Sequence, residues 1–104
     1  DGSDIYVKVP LTITEAVLGC EKEIPTIQGT QIINVIAGCQ NGDKVRLKGK
    51  GIDDKKLGRK GDTYAIFNVI IPEKLDRKQK KLFTELSDTN LDNNEKFKTY
   101  SKYL

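Results

Sequence analysis

The sequence has no histidine, methionine or tryptophan, and only two cysteines among its 104 residues. Without histidine, the commonest general base of enzymes is missing. Cys20 and Cys39 fall short of the four cysteine or histidine ligands of a structural zinc site, so we expect no metal and no cofactor. We expect both cysteines to remain reduced thiols, as in cytoplasmic proteins, although the sequence leaves a disulfide between them open.

Long apolar stretches are also missing. No run approaches the ~20 residues that cross a bilayer, and no signal peptide is visible, so we expect no membrane partner. Because the chain lacks methionine and opens with Asp1-Gly2-Ser3-Asp4, we expect it to be a fragment of a larger protein. With 37% hydrophobic and 32% charged residues, it has the composition of one small globular domain.

The net charge of +3 is too mild to predict a partner by itself. Basic residues are densest over residues 44–60, where acidic residues are interleaved and aromatic residues are missing. Single-stranded nucleic acid is normally held by basic grooves that also carry aromatic rings, on which the bases stack. We therefore expect no nucleic-acid partner, and a basic RNA-binding β-domain remains the alternative.

The glycine-rich middle of the chain carries no catalytic or nucleotide-binding motif. Gly49-Lys50-Gly51 is followed by more loop and then a strand, whereas a phosphate-binding loop must open a helix. Asp53 and Asp54 stand in a lysine-rich segment, where a solvated acidic turn is expected rather than a catalytic carboxylate pair. We predict that the protein is not an enzyme and has no catalytic residues.

Apolar alternation with a period of two predicts a mostly β fold. The first strand begins with Ile5, Val7 and Val9 on one face. Further strands are predicted over 22–27, 31–36, 43–47 and 62–71. The expected architecture is a small β-sandwich with a short helical turn between strands and a C-terminal helix.

Two segments between the strands are predicted to differ in character. Residues 14–19 have the pattern of a single helical turn, which Thr14 caps and Gly19 ends in a left-handed conformation. Residues 48–61 are polar and rich in glycine, so we expect a long, mobile loop there.

A basic helix is predicted after the last strand, with Asp76 as its N-cap. Apolar residues recur at helical spacing from just before this helix to its end: Leu75, Leu82, Phe83 and Leu86. This stripe packs either on the protein's own sheet or against the same helix of a second copy, because a two-fold interface is self-complementary. Residues 88–104 are predicted to be a polar linker and an aromatic tail, which is either a short helix or extended.

The apolar face of the first strand has two interpretations. Val7 and Val9, together with Ile24 of the next strand, are either core residues or the floor of a shallow groove. In the second case, the exposed strand edge would accept an extended peptide through main-chain hydrogen bonds, with small pockets for alternate side chains. Extended segments of unfolded proteins suit such a site.

Short stretches of the chain, in their order and spacing, match one known family. They are Asp4-Ile5-Tyr6-Val7-Lys8-Val9-Pro10, Thr14-Glu15-Ala16-Val17-Leu18-Gly19, Glu23-Ile24-Pro25-Thr26, Arg46-Leu47-Lys48-Gly49-Lys50-Gly51, Gly58-Arg59-Lys60-Gly61-Asp62 and Pro72-Glu73-Lys74-Leu75. Over residues 4–86 the chain resembles the C-terminal part of DnaJ-type J-domain co-chaperones, namely their second β-sandwich module and dimerisation helix. Gln28, Ile36 and Cys39 depart from the family's common residues, Asp, Pro and Thr.

The resemblance implies a co-chaperone module that binds unfolded polypeptide for a DnaK-type ATPase. It implies peptide-binding positions at Val7, Val9, Ile24 and Thr26. It also implies a homodimer held by Leu75, Leu82, Phe83 and Leu86. The His-Pro-Asp tripeptide of J-domains and the C-x-x-C-x-G-x-G repeats of the zinc module do not occur in this sequence.

The implied organisation has three parts in a cytoplasmic protein. Residues 1–73 form the second β-sandwich module, residues 74–87 the dimerisation helix, and residues 88–104 the linker and tail. A structural scaffold without a client site is a further alternative to the co-chaperone function.

Overall fold

The computed structural model describes residues 2–104 of the chain; Asp1, with which the predicted β module begins, lies outside the described residues. The chain divides into two compact units, Asp1–Ile71 and Pro72–Leu104. Among the described residues, the first unit holds seven strands and one short helix, and the second holds two helices.

The first unit is built from β-strands, as the alternation predicts. Its elements are β1 (Ile5–Thr12), α1 (Ile13–Leu18), β2 (Cys20–Thr26), β3 (Gly29–Val35), β4 (Lys44–Leu47), β5 (Asp53–Asp54), β6 (Arg59–Lys60) and β7 (Thr63–Ile70). A three-stranded sheet has the order β1-β7-β4, in which β1 runs parallel and β4 antiparallel to β7. Strands β2 and β3 form a separate antiparallel pair, and so do the two-residue strands β5 and β6.

One hydrophobic core lies between the three-stranded sheet and the β2–β3 pair, so the predicted small β-sandwich is confirmed. Every second residue of the longer strands points into this core. Ile33 and Val35 of β3 are buried, whereas Ile32 and Ile36 are exposed. The buried core residues are Val9, Leu11, Ala16, Ile24, Ile33, Val35, Ala65 and Phe67.

The predicted helical turn after the first strand is present, but it begins earlier than the sequence suggests. Its N-cap is Thr12 rather than Thr14: the Thr12 hydroxyl accepts from the Glu15 amide at 3.1 Å, and the Glu15 carboxylate accepts from the Thr12 amide at 2.9 Å. This reciprocal capping box satisfies two amides at once, which a cap at Thr14 would not do. Gly19 ends the helix at φ +82°, as predicted.

The segment predicted as a long loop carries regular structure, which corrects that part of the expectation, while its mobility stays a prediction. Strands β5 and β6 form a small hairpin in it, and its two ends are joined by main-chain bonds. The Gly51 amide donates to the Gly61 carbonyl at 2.9 Å, and the Ile52 amide donates to the Ser3 carbonyl at 2.8 Å. A Cβ atom on Gly61 would overlap the Ser3 carbonyl, so glycine is needed here for close packing of backbones.

The second unit contains α2 (Arg77–Ser87) and α3 (Glu95–Ser101). Helix α2 begins after Asp76, as predicted. The Asp76 carboxylate accepts from the Gln79 amide at 2.8 Å, and the Gln79 side chain accepts from the Asp76 amide at 2.9 Å. Asn94 caps α3, so the predicted aromatic tail is partly helical rather than extended.

Candidate functional site

The structure brings three of the four predicted peptide-binding positions together. Val9 and Ile24 are 5% and 0% exposed and belong to the core, and the half-buried Val7 packs against it. Thr26 lies at the end of β2, where its hydroxyl donates to the Gly29 carbonyl at 2.6 Å and accepts from the Gln28 amide at 3.2 Å. Of these side chains, Val7 and Thr26 retain partial access to solvent.

Strand β1 forms one edge of the three-stranded sheet. The Ile5 amide donates to the Asp62 carbonyl at 2.9 Å, so Ile5 faces β7. In a parallel pair, alternate residues direct their backbone groups to the neighbouring strand. Hence the backbone groups of Tyr6, Lys8 and Pro10 face away from β7, where β1 has no strand partner among residues 2–104.

Few backbone groups along this edge are free to bind another strand, because Pro10 and Thr12 lack a free amide hydrogen. Pro10 has no amide hydrogen and offers only its carbonyl. The outward amide of Thr12 donates to the Glu15 carboxylate in the capping box. Tyr6 and Lys8 therefore supply the edge's complete donor and acceptor pairs.

The outer face of the same sheet carries a row of aromatic and basic side chains. Tyr6, Tyr64 and Arg46 occupy matching positions on β1, β7 and β4. The rings of Tyr6 and Tyr64 are stacked, with centroids 5.2 Å apart and planes at 14°. Sequence reasoning missed this row, because it considered aromatic residues only within 44–60. The signal was present in part, since Tyr6 alternates with the inward-facing Val7.

Beside this row, Asp62 organises the glycine-rich segment. Its carboxylate accepts from the Arg46 Nε atom at 2.6 Å and from the Gly49 amide at 2.7 Å. The Gly49 hydrogen bond, followed by that from Arg46, lowers the pKa of Asp62, and the hydrogen bond to Asp62 raises the pKa of Arg46. The Asp62 amide donates to the Asp4 carboxylate at 2.8 Å, which ties the start of β1 to the start of β7.

These residues border an open depression of about 480 Å³ with a mixed, predominantly basic lining. Its charged members are Asp4, Arg46, Lys48, Arg59, Lys60 and Asp62. The amide of Gly49, which a phosphate-binding loop would offer to its ligand, is already bonded to Asp62. Gly49 thus serves internal hydrogen bonding, and Gly61 serves close packing of backbones.

Helix α2 exposes the predicted apolar stripe. Leu82 is 54% exposed and Leu86 46%, and none of the eleven residues of α2 is buried. Leu75, just before the helix, is 38% exposed, and Phe83 is half-buried. Isolated exposed leucines are common on protein surfaces, but an aligned row of them is typical of a surface that packs against another chain.

A family model of the DnaJ C-terminal domain matches residues 1–72 of the chain. The chain belongs to the DnaJ C-terminal domain family. This confirms the resemblance drawn from the short sequence stretches. It also agrees with the fold, because the matched residues cover the whole strand-rich unit.

Curated relatives named Chaperone protein DnaJ extend the DnaJ similarity into the helical unit. The protein of Caldicellulosiruptor bescii is 45% identical over 84 residues, 81% of this chain and 22% of its own length. That of Acholeplasma laidlawii is 44% identical over 86 residues, 83% of this chain and 23% of its own length. That of Listeria welshimeri is 40% identical over 92 residues, 88% and 24% respectively. The chain therefore spans about a quarter of each relative.

Two further observations concern membranes and metals. None of the helices in residues 2–104 is both long and apolar enough to pass through a bilayer. Across the same residues, cysteine and carboxylate side chains form no group of three or more that could hold a metal ion.

Both cysteines are free thiols, and burial, followed by the charge of Asp43, raises the pKa of Cys39.

Proposed function

We propose that this chain joins two copies of a DnaJ-type co-chaperone and contacts unfolded polypeptide, without bond-making chemistry of its own. Its parts are then a β module over 1–73, a dimerisation helix over 74–87 and a tail over 88–104. The exposed leucine row of α2 carries the proposal. In the whole protein, a cytoplasmic dimer would present two client sites and pass clients to a DnaK-type ATPase. Two weak sites on one dimer bind more tightly than either alone.

The dimer contact is assigned to Leu75, Leu82, Phe83 and Leu86. A two-fold axis would place the row of one copy against the same row of the other, so one apolar stripe is sufficient. The surrounding lysines would remain in water, which keeps the interface centre apolar and its rim charged.

Sedimentation velocity of Leu82→Asp beside Thr84→Asp tests this contact. Both variants add one negative charge to α2, but the two positions are about 200° apart around the helix. We expect Leu82→Asp to weaken self-association at least about tenfold, because burying a leucine contributes roughly 1.5–3 kcal/mol. Thr84→Asp should sediment like the parent chain. Identical behaviour of all three proteins would contradict the assignment.

The client site is assigned to the edge of β1 and the groove beside it. Val7 and Thr26 would touch the client, while the buried Val9 and Ile24 would support the groove from below. The free backbone groups of Tyr6 and Lys8 support this assignment, because an added strand gains main-chain hydrogen bonds whatever its sequence.

Fluorescence anisotropy with labelled, reduced and carboxymethylated α-lactalbumin, a permanently unfolded polypeptide, tests client binding. Val7→Asp should weaken binding about tenfold, while Val17→Asp, on the exposed side of α1, should not. Circular dichroism checks that each variant is folded, and Val7→Thr serves if Val7→Asp is not. Unchanged affinity of a folded Val7 variant would remove Val7 from the site.

One observation supports the RNA-binding alternative: the stacked rings of Tyr6 and Tyr64 lie beside the basic side chain of Arg46. Salt separates the two functions. Client binding through an apolar groove and backbone hydrogen bonds should persist between about 50 and 200 mM salt, whereas binding through phosphates falls by orders of magnitude. A scaffold without a client site would bind neither ligand.

A further inference from the structure

We propose that the free edge of β1 selects peptides by two side chains: a planar aromatic residue that stacks on Tyr6 and a carboxylate that pairs with Lys8. This inference rests on the proposed client binding and names the segments of an unfolded chain that this edge prefers. Because neighbours on one face of a strand are two residues apart, the two preferred residues are separated by one residue of any kind.

The backbone of the edge sets the position of the bound segment. Tyr6 and Lys8 each offer an amide and a carbonyl, and Pro10 adds a carbonyl alone. The capping box occupies the amide of Thr12. An added strand of about five residues uses all of these groups, with alternate side chains on the outer face of the sheet.

The aromatic preference follows from the row Arg46, Tyr64 and Tyr6. Tyr64 is covered on one side by the Tyr6 ring, while Tyr6 stands at the sheet edge and is 56% exposed. The next position in this row belongs to the added strand. Neighbouring strands are about 4.8 Å apart, which matches the spacing of stacked rings. An aromatic side chain opposite Tyr6 therefore becomes the next member of the stack.

The acidic preference follows from the adjacent row. Lys8 and Lys44 face outward on either side of Ile66, in matching positions of β1, β4 and β7. Neither lysine takes part in an ion pair within residues 2–104. A carboxylate on the added strand opposite Lys8 supplies the missing partner.

A peptide fits this edge better than a nucleic acid does. Phosphates would pair with the lysines and a base could stack on Tyr6, but neither uses the alternating amides and carbonyls of the edge. An extended peptide satisfies those groups and the two side-chain rows together. The peptide reads aromatic-x-acidic if the added strand is parallel to β1, and acidic-x-aromatic if it is antiparallel.

Fluorescence anisotropy with two labelled heptapeptides tests the preference. The sequences are Ser-Thr-Phe-Thr-Glu-Thr-Ser and Ser-Thr-Glu-Thr-Phe-Thr-Ser, which serve the two directions. Replacing the peptide's Phe by Leu should weaken binding of the preferred peptide about fivefold, because stacking is lost while apolar area remains. Replacing its Glu by Lys should weaken binding about threefold at low salt.

Variants of the protein separate the backbone from the side chains. Lys8→Pro removes an amide that faces away from β7, so the sheet is retained and peptide binding should fall below detection. Lys8→Ala keeps that amide and should erase only the discrimination between Glu and Lys peptides. Lys8→Glu should reverse this discrimination, so that the peptide with Lys binds more tightly than the peptide with Glu. Lys80→Glu on α2 should leave the affinity for both peptides unchanged.

Tyr6→Leu provides an independent readout if Lys8→Pro does not fold. It keeps an apolar side chain at the edge but removes the ring, so Phe and Leu peptides should bind equally. A folded Tyr6→Leu variant that still prefers Phe would overturn the aromatic part of the inference.

Unfolded α-lactalbumin distinguishes the inference from the function on which it rests. If the protein binds α-lactalbumin but shows neither side-chain preference, or if folded Lys8→Pro binds peptide normally, the edge inference is wrong and client binding stands. If neither α-lactalbumin nor either peptide binds, both proposals fail. Binding of labelled oligouridine that depends on Tyr6, without peptide binding, would also overturn the inference.

Discussion

The two units of this chain differ in whether they bury an apolar core: the strand-rich unit has one, whereas α2 and α3 contain no buried residue. In the strand-rich unit, Leu11 is 1% exposed and Ile24 is fully buried, because two layers of strands close on each other. In the helical unit, Leu82 and Leu86 remain about half exposed. A short amphipathic helix has one apolar side and needs a neighbour to cover it. The contrast indicates that the strands stabilise the fold, and it supports the proposal that α2 contacts another molecule.

The largest effect expected from this contrast is on unfolding. Leu11→Ala should lower the free energy of unfolding of the strand-rich unit by roughly 2–5 kcal/mol, because it leaves a cavity in the core. Leu86→Ala should change the same quantity by less than about 0.5 kcal/mol. Urea titration followed by far-ultraviolet circular dichroism, at a protein concentration that keeps the chain monomeric, measures both. If both variants lost the same free energy of unfolding, the contrast between the two units would be wrong.

A second prediction concerns how tightly the strand-rich unit is packed. Gly61→Ala should destabilise it by roughly 1–3 kcal/mol, because the new methyl group would overlap the Ser3 carbonyl and displace backbone. Gly2→Ala is the matched control, since a Cβ atom at Gly2 meets no atom within 4 Å. The same urea titration applies. A tolerated Gly61→Ala would show that the glycine-rich segment is looser than its hydrogen bonds indicate.

The smallest expected effect is on pH dependence. Hydrogen bonds from Gly49 and Arg46 lower the pKa of folded Asp62 below its ordinary value of 3.8. This stabilisation is complete above pH values near 3.8 and is lost as the pH falls through the lower, folded-state pKa. Asp62→Asn should therefore flatten the acid limb of a plot of melting temperature against pH, while Asp92→Asn should preserve it. If the melting temperatures of Asp62→Asn and the parent chain fell equally with decreasing pH, ionised Asp62 would not stabilise the fold as proposed.

Local patterns in the sequence were sufficient for much of the fold. The alternation in β1 predicted that Ile5, Val7 and Val9 share one face, and Gly19 was recognised as the end of α1. Asp76 was recognised as the cap of α2, because capping depends on residues a few positions apart. The cap of α1 was wrong, since Thr14 and Thr12 are both acceptable residues and only the bond from Thr12 to Glu15 decides between them.

The candidate site was less predictable, because its parts are distant in sequence. Tyr6 and Tyr64 stack only because the first long strand pairs with the last, and Asp4 meets Asp62 for the same reason. The sequence alone could not show whether Val9 and Ile24 lie in the core or line a groove. Alternation identifies the residues that share a face but not what covers that face. The burial of Val9 and Ile24 assigns them to the core.

The order of residues by itself determined the family, the strand-rich character, the cap of α2, the glycine end of α1 and the apolar row of α2. These features are local, since each depends on residues within a few positions of one another. Only the tertiary structure decided that β1 lies beside β7, that its outer edge has no strand partner among residues 2–104, and that Tyr6 and Lys8 mark that edge. Strand pairing across more than fifty residues depends on how both faces of the sheet are covered, and no short segment carries that information.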